Sequence, residues 1–257
     1  MRRNVTDNAM TKAEIQLIRS LKDKRTRDDE GLFIAEGVKL VEEIRASEFS
    51  IRRIYTTRCD LTGADVEQVE RKDMERISEL KSASDTLAVV EKPKYRLSLS
   101  SIKENLVIAL DGVQNPGNLG TIIRLADWFG VKDIICSAEC ADCFNPKVVQ
   151  ATMGAILRVR VHYTDNLAQL LREAQGEGMP IYGTLLDGEN IYSKSLTTHG
   201  IIVMGNEGRG LTEECRKELT ERLYIPPYPA NSPTSESLNV AMATGIILAE
   251  FRRPKVF

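Results

Sequence analysis

Five polar side chains fall in three short stretches whose make-up suits chemistry at a loop edge. Asn118 and Arg124 lie in the stretch from Asp111 to Arg124, and Glu207 sits between Gly205 and Gly208. Ser237 and Asn239 follow a segment that carries Pro226, Pro227, Pro229 and Pro233. Proline fixes φ and donates no N–H, so that segment reads as stiff and extended. Glycine lets a ligand approach the backbone closely. A rigid loop that feeds a helix start presents fixed backbone groups and is a good place for a ligand pocket. Each residue also has a plainer reading. Asn118 could cap a helix from Leu119, and Arg124 could be a surface arginine in a salt bridge. Glu207 could be an exposed turn acid, and Ser235, Ser237 and Asn239 could be caps. The chain holds two histidines, His162 and His199, and neither lies in these stretches, which argues against a histidine-based nucleophile relay. Gly117 and Gly120 do not complete G-x-G-x-x-G, and no G-x-x-x-x-G-K-[ST] occurs, so the dinucleotide fingerprint and the P-loop are both unmet.

The elements that must position these residues follow from hydrophobic patterning. Unbroken apolar runs at 106–110, 134–136, 181–185, 201–204 and 223–225 are the mark of parallel strands covered on both faces. Helical stretches fall at 119–129, 166–175, 212–220 and 237–251. This alternation predicts an α/β parallel-sheet domain over 101–257, with the three stretches at strand-to-helix junctions, where such sheets bind ligands. Residues 1–100 predict a smaller α/β domain and linker. Thr11 and Glu14 form a capping box ahead of Ile15, Ile18 and Leu21, and apolar runs at 32–35, 51–55 and 87–90 read as strands. Between them, 22–30 carries four bases, Lys22, Lys24, Arg25 and Arg27, interleaved with acids. It is either a solvated turn or a contact for phosphates.

The three stretches, in this order, resemble the motifs of the SpoU/TrmH family of RNA ribose 2′-O-methyltransferases, within the SPOUT superfamily. The resemblance spans about 106–253 and rests on 118–124, Gly205-Asn206-Glu207-Gly208, and Ile225-Pro226 with Ser237-Leu238-Asn239. It implies S-adenosyl-L-methionine as methyl donor, an rRNA or tRNA substrate and a homodimer. It also implies a C-terminal segment threaded into a trefoil knot, and an N-terminal RNA-holding domain like the ribosomal protein L30e fold. By the same resemblance Arg124 is the catalytic arginine, positioned by Asn118. Glu207 orients Arg124 or the RNA, and Ser237 and Asn239 complete the catalytic set. Thr184, Leu185, Gly205, Ile225 and Leu238 line the donor pocket, and Lys22, Lys24, Arg25 and Arg27 contact RNA. The proline-bearing link at 227–236 is longer than is usual in the family. A non-catalytic RNA-binding module that retains the fold is the alternative, although such a module would not need all five polar residues.

Composition narrows the class. With 42% hydrophobic and 28% charged residues the chain reads as an ordinary globular protein, and no apolar run approaches the ~20 residues that span a bilayer. The first residues lack the apolar core of a signal peptide, so a cytoplasmic location is expected. A net charge of −2 gives no global basic footprint for nucleic acid. Five cysteines, Cys59, Cys136, Cys140, Cys143 and Cys215, predict reduced thiols. The lone Cys140–Cys143 C-x-x-C lacks the second pair that a zinc site needs, so no metal is expected.

Overall fold

The computed structural model describes residues 10–229 and 237–254. The chain divides into two compact units. One comprises residues up to Lys94 together with Phe144–Leu157, and the other comprises Tyr95–Cys143 and the chain from Arg158 onward.

The first unit opens with α1 (Lys12–Ser20), where Thr11 and Glu14 do form a reciprocal capping box. Next comes α2 (Lys24–Glu30), a helix in the stretch whose mixed charge suggested a turn. Gly31, at φ 66°, closes it in the left-handed conformation that glycine tolerates. Its alternating charges become i,i+4 pairs, Lys24–Asp28 at 3.3 Å and Arg25–Asp29 at 3.6 Å. Then follow β1 (Leu32–Glu36), α3 (Val38–Arg45), β2 (Ile51–Thr56), β3 (Val66–Gln68), α4 (Arg71–Ile77) and β4 (Thr86–Glu91). The sheet order is β1-β4-β2-β3, antiparallel except for the β2–β3 pair. One core joins Ile15, Ile18 and Leu21 to Ile34, Met74, Leu87 and Val89.

The second unit begins with α5 (Leu99–Ile102), β5 (Leu106–Asp111), α6 (Pro116–Trp128) and β6 (Asp133–Ser137). After α7 (Pro146–Thr152), which belongs to the first unit, it continues with β7 (Arg160–Thr164), α8 (Leu167–Gly176) and β8 (Ile181–Asn190). It ends with β9 (Gly200–Gly205), α9 (Glu213–Lys217), β10 (Glu221–Tyr224) and α10 (Val240–Phe251). The six strands are all parallel, in the order β10-β8-β9-β5-β6-β7. One face is covered by α8, whose Leu167, Leu171 and Ala174 pack with Val107, Ala109, Ile201 and Val203. Toward the C-terminus α10 packs on α6 and β9. Every residue of β5 is buried, as its unbroken apolar pattern requires. The chain winds outward from β5 to β7, then crosses to β8 and places β9 back beside β5. The winding therefore reverses between β5 and β9, where Asp111 and Gly205 are register partners. That junction is the place where a doubly wound sheet opens a ligand crevice.

Several sequence expectations need correction. Asn115, not Asn118, caps α6, accepting from the Gly117 and Asn118 amides at 2.8 and 3.1 Å, with Pro116 in the first helical position. Asn239, not Ser237, caps α10, while Ser235 and Pro233 lie outside the described residues. Strand β7 and the membership of Phe144–Leu157 in the first unit are not among the expectations drawn from the sequence. The five cysteines are free thiols, and all but Cys59 are buried.

Candidate active site

Three loops meet at the carboxyl ends of β5 and β9. The β9 loop is held by Asn206, a residue of the second motif to which the sequence assigns no role. Its amide donates to the Gly112 carbonyl at 2.7 Å, and its Oδ1 accepts from the Gly208 and Arg209 amides at 2.9 and 3.0 Å. Asn206 and Gly210 also exchange a pair of backbone bonds at 2.9 Å. An asparagine opening a glycine-rich turn is the sequence signal for such an arrangement. Asp111 adds a second tie: its Oδ2 accepts from the Thr212 backbone and hydroxyl at 2.7 and 2.8 Å. Behind Thr212, burial pushes the Cys215 thiol up to about 12.

Gly205 is required by close approach. A Cβ there would stand 2.4 Å from the Gly210 carbonyl carbon and 2.6 Å from the Leu211 nitrogen. Both neighbours are backbone, so a side chain at 205 would have to move the loop.

Because Asn115 does the capping, the Asn118 side chain is free to span the loops. Its Nδ2 donates to Glu207 Oε1 at 2.7 Å, and its Oδ1 accepts from Asn239 Nδ2 at 3.0 Å. Asn239 Oδ1 in turn accepts from the Ala241 and Met242 amides at 3.0 and 3.3 Å. Residues 118, 207 and 239, far apart in sequence, thus form one hydrogen-bonded line.

Beside this line is a cavity of about 500 Å³. Its walls include Thr184, Leu185, Gly205, Ile225 and Leu238, together with Glu207 and Ser237. The volume lies within the range of small-molecule and cofactor sites. Apolar walls from Leu185, Met204 and Leu211 face polar backbone at 205–210, a combination that suits a flat heteroaromatic group joined to a polar chain.

Arg124 is exposed on α6 and makes no hydrogen bond or ion pair among the described residues. Neither the salt bridge of its plainer reading nor a hydrogen bond to Asn118 or Glu207 is formed. In the first unit, Lys22, Lys24 and Arg25 are exposed on or beside α2. Arg27 is not: it is 1% exposed, and its guanidinium donates to the Leu21 and Lys22 carbonyls, both at 2.7 Å. A buried group already holding backbone carbonyls cannot reach phosphate, so Arg27 is removed from the RNA-contact set.

Comparison with known proteins agrees with this geometry. The SpoU rRNA Methylase family matches residues 105–249, and the MRM3-like substrate binding domain matches residues 12–94. The 23S rRNA (guanosine(2553)-2′-O)-methyltransferase RlmP of Bacillus subtilis is 30% identical over 91% of this chain and 94% of its own length. A TrmH-family protein from Porphyromonas gingivalis superposes with a TM-score of 0.85 at 39% identity, covering 95% of this chain and 98% of that one. The AdoMet-bound rRNA methyltransferase of Sinorhizobium meliloti superposes with a TM-score of 0.84 at 30% identity, covering 95% and 96%. The motif line, the cavity beside it and the match over 105–249 converge on one assignment: this chain belongs to the SpoU rRNA methylase family.

Proposed function

We propose that the chain is an S-adenosyl-L-methionine-dependent RNA methyltransferase that methylates a ribose 2′-hydroxyl of guanosine in large-subunit ribosomal RNA. One observation carries the reading: the cavity lined by Thr184, Leu185, Gly205, Ile225 and Leu238 opens beside the Asn118–Glu207–Asn239 line. A donor pocket adjoins groups able to handle a hydroxyl. The choice of ribosomal RNA and guanosine rests on relatives such as RlmP and the RlmB proteins, which are named 23S rRNA guanosine 2′-O-methyltransferases. Bound S-adenosylmethionine supplies an electrophilic methyl on a sulfonium; the protein's own residues do the rest. The apolar walls and the 205–210 backbone hold the donor. Arg124 stays charged, so it serves phosphate binding and stabilisation of the developing oxyanion rather than proton acceptance. Ser237 hydrogen-bonds the donor or the ribose, a role that its position in the cavity wall supports.

The first unit is the RNA-holding part, an L30e-like domain in which Lys22, Lys24 and Arg25 face phosphates. This domain and its linker run to about residue 100, which the end of the first unit at Lys94 supports, and Phe144–Leu157 counts with it. The C-terminal segment is threaded as a trefoil knot; its return from edge strand β10 to pack α10 on α6 supports this. Two copies form a homodimer through the second unit. Trp128 and Met242 are 84% and 63% exposed on the paired helices α6 and α10, and large apolar side chains so exposed favour an interface. A cytoplasmic location fits a ribosomal substrate, and no helix among the described residues is long and apolar enough to cross a membrane.

The test is transfer of labelled methyl from S-adenosylmethionine to undermodified ribosomal RNA and, separately, transfer RNA. Label recovered from ribosomal RNA as an alkali-resistant dinucleotide, and lost in Arg124→Ala, is the expected outcome. Absence of S-adenosylmethionine binding moves the chain to the rival reading, a non-catalytic RNA-binding module, whereas binding without label in either pool points to a substrate available only during ribosome assembly.

A further inference from the structure

Ribose methylation needs a group that takes the 2′-hydroxyl proton, and the geometry points to Glu207 as that acceptor, held in its acceptor state by Asn118 and Asn239. The inference rests on the 2′-O-methyltransferase reading and assigns a role within it.

The argument begins at the N-terminus of α10. The Ala241 and Met242 amides can only donate, so the side-chain atom of Asn239 that meets them must be its oxygen. The other end of Asn239 is then an NH₂ group, which must donate. It meets Asn118 at 3.0 Å, so that atom of Asn118 is the oxygen. The Asn118 NH₂ therefore faces Glu207 at 2.7 Å and must donate to it. A backbone anchor thus fixes the polarity of two amides whose orientation would otherwise be free, and the line ends on Glu207 Oε1 as an obligatory acceptor. Glu207 Oε2 has no partner among the described residues, and Glu207 is one of the residues of the cavity wall.

Among the described residues no other group at the cavity is so placed. Asp187, the other carboxylate in its wall, faces Arg222 at 3.3 Å and Arg216 at 3.6 Å. Asp111 is buried, with one oxygen taken twice by Thr212. Among the described residues the remaining charged groups of the cavity wall are cations that do not accept protons, Arg209 on the same loop and Arg216 on α9.

The step balances. The 2′-O–H bond breaks and Glu207 Oε2–H forms. The electron pair left on the ribose oxygen makes the new bond to the methyl carbon, and the C–S pair returns to sulfur.

Glu207→Gln is the informative variant, because its amide oxygen still accepts from Asn118 and its shape is unchanged. Single-turnover methyl transfer to undermodified ribosomal RNA is expected to fall about 10²–10⁴-fold, the usual weight of a general base. S-adenosylhomocysteine affinity should change far less than the rate, since the amide keeps the shape of the side chain at the cavity wall and the product's sulfur carries no charge. The wild-type rate should also drop on the acid side with unit slope, and this limb should vanish in Glu207→Gln. A second readout needs no donor at all. In the free protein the ¹⁵N–¹H signals of the Asn118 side-chain amide should follow a single protonation at acid pH, absent in Glu207→Gln. Transfer by Glu207→Gln within about threefold of wild type, or an Asn118 amide indifferent to pH, would overturn the assignment. Absence of transfer by the wild type would overturn the methyltransferase reading itself, while the Asn118 titration would still report separately on the hydrogen-bonded line.

Discussion

Replacing Gly205 with alanine tests whether the cavity wall is set by backbone contact. The added carbon would stand 2.4 Å from the Gly210 carbonyl carbon, and ordinary contact begins at 3.4 Å, so the two segments must separate by about 1 Å. The obstacle is backbone on a turn closed by two Asn206–Gly210 bonds of 2.9 Å, so relief requires those bonds to stretch or break. Two such bonds contribute about 1–3 kcal/mol, and overpacking adds about 1–3 kcal/mol, giving roughly 2–6 kcal/mol of destabilisation. At about 2–4 °C per kcal/mol for a unit of this size, the calorimetric midpoint should fall by at least about 4 °C. Gly205 also lines the cavity, and each 1.4 kcal/mol of lost contact is a factor of ten. S-adenosylmethionine affinity, by titration calorimetry, should drop by about tenfold or more. An unshifted midpoint together with an unchanged dissociation constant would refute the reasoning, because the loop would then have room that the distances deny.

Two further outcomes follow from buried charges. Asp133 is 2% exposed; burial pushes its carboxyl up, but bonds from His162 at 2.9 Å and from Arg160 at 2.8 and 2.6 Å hold it at about 2. Its ordinary value is 3.8, so this depression contributes about 2 kcal/mol above pH 4, lost as pH falls from about 4 to about 2. Asp133→Asn should therefore be less stable than wild type in urea melts at pH 7, with the gap closing toward pH 2. Arg27→Ala should cost about 2–4 kcal/mol, because it strands the Leu21 and Lys22 carbonyls and empties a buried volume. Lys24→Ala should instead leave the melting temperature in place and weaken RNA binding, with a smaller salt dependence.

The sheet was legible because parallel strands buried on both faces leave an unmistakable apolar run, as at β5 and β9. The loops that carry Asn118, Glu207 and Asn239 were legible too, since glycine and proline mark where such loops begin. What the residue types could not convey was who caps what. Asn115, Asn118 and Asn239 are all plausible caps by type, and only three-dimensional placement frees Asn118 to join Glu207 to Asn239. Arg27 misled for a related reason. In a stretch of alternating charge, burial depends on the helical phase of α2, and nothing in the 22–30 pattern announced that phase. The 144–157 segment was missed because it is short, and its apolar residues find their partners a hundred positions earlier: Phe144 stacks on Phe33 with centroids 4.8 Å apart.

That segment bears on how the molecule can be made. The first unit is not finished when residue 94 has been synthesised, because Phe144, Val148, Val149, Ala155 and Ile156 are also among its buried residues. Synthesis must pass β5, α6 and β6 before the first unit holds its full core, and the second unit must wait for β7 to β10. The two units therefore mature in overlapping rather than successive order. A gene fragment ending at residue 94 encodes a partial core, and any scheme that exchanges RNA-holding domains between relatives must move residues 144–157 along with the first 94.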